Sequence, residues 1–186
     1  MVSIVSLWLP ILVSAIAVFF ASFLLHMVIP FHRADYGTLP NEDRAMEALR
    51  SLAIPPGDYM TPCARTPEQM KSPEFLEKFN RGPVLSMTVM KPGNMHLGSS
   101  LIQWFIYSLA IGVLAAYVTS RAMGSGTDRI EVLRFAGVTG FTAYAVGLWQ
   151  QSIWYKRSWA TTVRYTIDGL IYALLVGGAF AWLWPR

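Results

Sequence analysis

From Val2 to Pro30 the chain carries no aspartate, glutamate, lysine or arginine. A helix needs about 20 residues to cross the hydrocarbon core. Inside lipid every backbone N–H and C=O must also find a partner within the protein. An uncharged run of this length therefore predicts a transmembrane helix. A cleaved signal peptide would need a basic leading segment, a shorter apolar core and a small-x-small cleavage site, and none is present, so the helix is expected to be retained. Pro10 is expected to kink it, because an interior proline removes a backbone hydrogen bond.

Three more apolar runs follow, at about 98–120, 130–153 and 160–184. The second ends at Arg121 before Gly124-Ser125-Gly126, and the last stops at Pro185-Arg186. The expected fold is an all-α membrane protein, an up-and-down bundle of four transmembrane helices. Its organisation is helix 1 at 1–30, a polar insert at 31–97 and a three-helix region at 98–186. Composition agrees: 54% of the residues are hydrophobic and 14% charged, where a soluble domain is nearer a quarter charged. Residues 31–98 hold eight basic and eight acidic side chains. That balance leaves no basic footprint for nucleic acid.

The insert is punctuated by turn signals. Asn41-Glu42-Asp43 predicts an N-cap with acids in a first helical turn, and the helix should reach Leu52 with Met46 and Leu49 on one face. Pro55-Pro56-Gly57 breaks it. Ser72-Pro73-Glu74 predicts a second helix, with proline at its first position, and Gly82-Pro83 ends it. The stretch from Val84 to Met90 is β-prone.

Tryptophans favour membrane interfaces. Trp8, Trp182 and Trp184 would mark one side, and Trp104, Trp149, Trp154 and Trp159 the other. The positive-inside rule compares Arg33, Lys91, Lys156, Arg157 and Arg164 on the insert side with Arg121, Arg129, Arg134 and Arg186 opposite. It leans toward a cytoplasmic insert.

Small residues recur at helix-packing spacing. They are Ser108, Gly112 and Ala116 in the second span, Ala136, Gly140, Ala143 and Gly147 in the third, and Gly169, Ala173 and Gly177 in the fourth. Apolar contact gains nothing over lipid, so close backbone approach through small residues is a main source of helix association. These faces would serve this chain, a second copy or another membrane subunit.

Polar residues collect toward the insert. Asp168 lies about eight residues, roughly 12 Å, inside the fourth span, with Arg164 one turn before it. His26 sits near the end of the first span, one turn after Ser22. An up-and-down path brings His26, Gln103, Gln150, Gln151, Arg164 and Asp168 to similar depth. Ionisable groups in a membrane are costly to bury and mark candidate sites. The structural alternative is that Arg164 neutralises Asp168 and the glutamines complete a hydrogen-bond network.

His26, His32 and His96 should gather on the insert side, near Asp35, Cys63 and methionines such as Met87, Met90 and Met95, whose thioethers would suit Cu(I). No pair has a spacing such as H-x-x-x-H or C-x-x-C, so no metal or other cofactor is expected. No motif marks a catalytic residue. Cys63 lacks a local environment that would activate it, and as the one cysteine it has no partner within the chain for a disulfide.

The stretches Trp149-Gln150-Gln151-Ser152-Ile153-Trp154-Tyr155, Asp168-Gly169-Leu170-Ile171-Tyr172-Ala173-Leu174 and Ile54-Pro55-Pro56-Gly57-Asp58-Tyr59-Met60 resemble those of small, uncharacterised bacterial membrane proteins. The resemblance covers most of the chain. It implies four spans and a bacterial inner membrane, and it carries no activity. The function expected from the sequence is a non-enzymatic accessory or scaffold subunit in the bilayer, docked on other membrane subunits or on itself. The alternative is a small oligomeric transporter or proton-coupled channel using Asp168, Arg164 and His26.

Overall fold

The computed structural model describes residues 2–93 and 97–186. It divides into two compact units, Met1–Tyr36 with His96–Arg186, and Gly37–Met95. Residues 31–36, assigned to the insert on sequence grounds, fall in the first unit.

The first unit holds four helical stretches long and apolar enough to cross a membrane: Val5–Val28, Leu97–Ala122, Arg129–Tyr155 and Trp159–Leu183. They mark an integral membrane protein. The first stretch is composite. A 3-10 turn at Val5–Leu7 leads into α1 (Trp8–Phe23), and a π-helical turn over Leu24–Val28 closes it. Pro10 is the third residue of α1, where the helix has no carbonyl waiting for its missing N–H. The helix type changes on either side of α1.

In the second unit, α2 (Glu42–Ser51) is the predicted helix, but its start differs from expectation. Asn41 is left-handed (φ 56°, ψ 56°) and its side chain makes no capping bond; asparagine tolerates this region better than most residues. A strand β1 (Gly57–Thr61) follows where only a break was expected. The single turn α3 (Pro67–Met70) is capped by Thr66, and α4 (Pro73–Arg81) by Ser72, whose hydroxyl accepts the Phe75 N–H. The β-prone stretch forms β2 (Leu85–Val89), antiparallel to β1 with Gly57 opposite Val89 and Thr61 opposite Leu85. None of the described residues of this unit is buried. Turns, caps and one antiparallel strand pair hold it, as expected for a segment this small.

The remaining long helices are α5 (Leu97–Ala122), α6 (Arg129–Tyr144) with its continuation α7 (Trp149–Tyr155), and α8 (Trp159–Leu183). The third span is not one helix. It breaks at Ala145 (φ −117°, ψ −50°) and passes through a 3-10 turn at Val146–Leu148. The break lies against Gly169 of α8, where a Cβ would stand 2.6 Å from the Ala145 Cβ.

The buried core joins Leu7 and Val18 of the first stretch to Ile111, Val132, Val176 and Phe180. The small-residue faces meet inside the chain. A Cβ on Gly177 would lie 2.6 Å from the Leu133 carbonyl oxygen, and one on Gly140 would lie 3.4 Å from the Ala173 Cα. Gly112 abuts Ile11 in the same way, and Ser108, Ala116 and Ala136 are buried while Ala143 is partly so. Gly147 departs from the stripe. It is exposed with nothing within 4 Å of a Cβ, because the break at Ala145 carries it off the packing face. Two of the tryptophans bond within the protein. Trp184 is buried and donates to the Gly124 carbonyl (2.9 Å), and half-buried Trp104 donates to the Ser22 hydroxyl (2.9 Å). A buried indole N–H needs such a partner.

Candidate functional site

The site is assembled where the first span ends. Ile29 precedes Pro30 and is extended (φ −83°, ψ 131°), as proline demands of its predecessor, so the π turn stops there. The chain then turns through a 3-10 turn at Pro30–His32, tightened by bonds from Arg33 N–H to the Pro30 carbonyl and from Asp35 N–H to the His32 carbonyl. This reversal lays His32 back beside His26, their rings stacked with centroids 4.0 Å apart.

Three elements now converge. His32 Nδ1 is 2.6 Å from Asp35 Oδ2, and Arg164 of α8 donates from Nε to the other Asp35 oxygen at 2.6 Å. Arg164 also donates to the Ala34 carbonyl and the Thr161 hydroxyl. On its opposite side His32 presents Nε2 to Asp168 Oδ2 at 2.9 Å, and His26 Nε2 lies 3.5 Å from that same oxygen. The side chains of Asp35 and Asp168 are each 2% exposed and that of His32 8%. The order is Arg164, Asp35, His32, Asp168, His26: a chain of alternating cations, or potential cations, and carboxylates.

Burial works against the charged form of Asp35, but the hydrogen bonds from His32 and Arg164 outweigh it and hold its carboxyl below the usual range. The His32–Asp168 contact is different. It is short, yet it lies outside hydrogen-bond geometry, and His32 Nε2 and both Asp168 oxygens are buried without a hydrogen-bond partner among the described residues. Buried polar atoms are almost always paired, so these three stand out. Their atoms and His26 form a set of ligand-type groups within 4.8 Å of one another, suited to a metal ion.

Next to this cluster a cavity of about 530 Å³ opens between the helices. Its walls are almost wholly apolar, with Phe19, Phe23, Leu101 and Trp104 among them, while His26 and Asp168 contribute polar groups. Tyr172, one turn beyond Asp168 on the same face, also lines it, and its hydroxyl is buried without a partner among the described residues. His32 does not line the cavity.

Of the residues expected in a polar layer, the structure joins His26, Arg164 and Asp168. Arg164 pairs with Asp35 instead of neutralising Asp168. Gln103, Gln150 and Gln151 are exposed and stay outside the network. Asp35 and His32 complete it, and sequence reasoning had placed them only among loosely gathered metal-ligand types. Their signal was the Ile29-Pro30 stop, which turns the following residues back toward His26. His96 and Met95 lie outside the described residues.

Comparison with protein-family models, curated proteins and solved structures finds no match to this chain.

Proposed function

We propose that the protein binds a lipid-soluble molecule with a hydrogen-bonding head, its apolar body in the cavity and its head against Asp168, His26 and Tyr172. The host would be an up-and-down four-helix bundle in a bacterial inner membrane. The observation that carries the reading is the pairing of an apolar cavity with buried polar atoms at one edge, on Asp168 and Tyr172, that have no hydrogen-bond partner among the described residues. Ligand sites have this make-up, mostly hydrophobic walls with a few convergent polar groups.

The small-residue faces of Gly140, Ala173 and Gly177 are occupied within the chain, so they do not speak for the accessory-subunit reading. What still favours it is the uncovered apolar surface of α4, where Leu76 and Phe79 are 47% and 48% exposed. A proton or ion path through the membrane has less behind it. From Gly169 to Leu183 the fourth span contains no histidine, acid, lysine or arginine, so nothing on that helix continues the chain of ionisable groups.

The test is native mass spectrometry of protein taken from its own membrane in mild detergent. One small molecule per chain is expected, lost in Leu101→Trp, which fills the cavity, and weakened in Tyr172→Phe. Absence of a bound molecule, or equal retention by Leu101→Trp, overturns the reading. A stoichiometric complex with other membrane proteins and an empty cavity would instead favour the accessory role.

A further inference from the structure

We propose that His26, His32 and Asp168 bind a divalent first-row transition ion of the zinc or ferrous class, with Asp35 as the outer carboxylate that fixes His32. The inference goes beyond ligand binding in the cavity, although the two share His26 and Asp168 at the cavity's edge.

The first argument is the tautomer. Asp35 can only accept from His32 Nδ1 at 2.6 Å, so that nitrogen carries the proton and a neutral His32 has its lone pair on Nε2. That lone pair then faces a carboxylate oxygen at 2.9 Å. Two acceptors this close, both buried, repel unless a cation lies between or beside them. Carboxylate–histidine pairs of this kind recur behind metal ligands, where they set ring orientation and raise ligand basicity.

Distances supply the second argument. Metal–nitrogen and metal–oxygen bonds of ~2.0–2.2 Å place neighbouring ligand atoms roughly 2.8–3.6 Å apart. Asp168 Oδ2 lies 2.9 Å from His32 Nε2 and 3.5 Å from His26 Nε2. His32 is already held by Asp35. The His26 ring is stacked on His32 with centroids 4.0 Å apart, so its Nε2 reaches the ion only by turning out of that stack, a movement open to a side chain 33% exposed.

Charge is the third. Asp35 and Asp168 carry two negative charges against the one positive charge of Arg164, so with neutral imidazoles the cluster carries a net charge of −1; that fixes the sign of what it attracts, not the valence. An unpaired charge in such surroundings is expensive. A proton on His32 would balance it, but the Nε2–Asp168 contact lies outside hydrogen-bond geometry, whereas an ion uses both histidines and the carboxylate together. Two imidazoles and one carboxylate select borderline divalent ions over calcium, magnesium or Cu(I). Three protein ligands leave a position open, and His26 and Asp168 turn it toward the cavity.

The experiment uses the full chain in detergent, stripped with chelator and titrated with Co²⁺ alone, read by visible absorption and by metal content. One cobalt per chain is expected, displaced by Zn²⁺. His32→Gln and Asp168→Asn should abolish stoichiometric binding, while Asp35→Asn should weaken it roughly 10–100-fold, the usual cost of losing an outer-shell partner. If a ligand variant fails to fold, His26→Cys decides, because a ligating thiolate adds a charge-transfer band that the parent chain, which already contains Cys63, lacks. Failure of the parent chain to take up cobalt, binding unchanged in His32→Gln and Asp168→Asn, or no new band in His26→Cys overturns the proposal. The titration is made on protein shown by native mass spectrometry to have an empty cavity, so a failure to take up cobalt cannot be laid to a retained molecule at His26 and Asp168.

Discussion

Arg164 closes on Asp35, 129 residues earlier in the chain, and not on Asp168, one turn along its own helix. The pairing ties the turn after the first span to the fourth helix. It should appear as energetic coupling. A double-mutant cycle of Asp35→Asn and Arg164→Gln, followed by thermal unfolding in detergent, should give an interaction of about 0.5–3 kcal/mol. The same cycle between Arg164 and Asp168 should give much less. The reverse order would restore the pairing read from sequence.

Close approach of α6 and α8 makes a second prediction. A Cβ at Gly177 meets the Leu133 carbonyl oxygen at 2.6 Å, whereas nothing lies within 4 Å at Gly178. Gly177→Ala should therefore destabilise by about 1–3 kcal/mol, the usual cost of overpacking. Gly178→Ala and Gly147→Ala should leave the melting temperature unchanged.

The hydroxyl of Ser72 caps α4 by accepting the Phe75 N–H at 3.2 Å. Loss of such a cap costs about 1 kcal/mol. Ser72→Ala should speed amide exchange in the first turn of α4 by roughly fivefold, without effect on α8. Equal exchange in both proteins would show that the cap contributes nothing.

Glu74 and Lys78 pair one turn apart on the same helix, at 2.6 Å. The hydrogen bond from Lys78, and then its charge, hold the Glu74 carboxyl below its ordinary value, and the same contacts raise Lys78. A lowered carboxyl stabilises above its unfolded pKa, and that help is lost as pH falls through the lowered folded value. The pair is fully exposed, so the effect is small, and it is best read directly. The ¹³C titration midpoint of the Glu74 carboxyl should move up in Lys78→Met.

The four spans were legible because lipid imposes a length and forbids charge, and both are visible in sequence. Ser72 and Gly82-Pro83 were legible for a similar reason, since caps and breakers act locally. The cluster was only half legible. His26, Arg164 and Asp168 announce themselves by lying in or beside apolar runs, but His32 and Asp35 sit in what reads as polar loop. Only the chain reversal at Ile29-Pro30 brings them home. Helical spacing then misled, because Arg164 one turn from Asp168 suggests a pair while its guanidinium reaches the other way. The break at Ala145 left no mark either, since it answers to contact with Gly169, which no local pattern encodes.

Every ionisable group of the cluster enters from one end of the spans, and beyond Asp168 the fourth helix is bare of charge. Such a site has an address as well as a chemistry. Chains threaded in opposite senses would fold alike yet sample different aqueous compartments, each with its own supply of metal and its own acidity. On the up-and-down path expected from the sequence, five basic residues fall on one side and four on the other, so the sense of threading would hang on very few side chains. Exchanging one of them that lies outside the cluster, such as Arg129, would change what the cluster meets without touching the cluster itself.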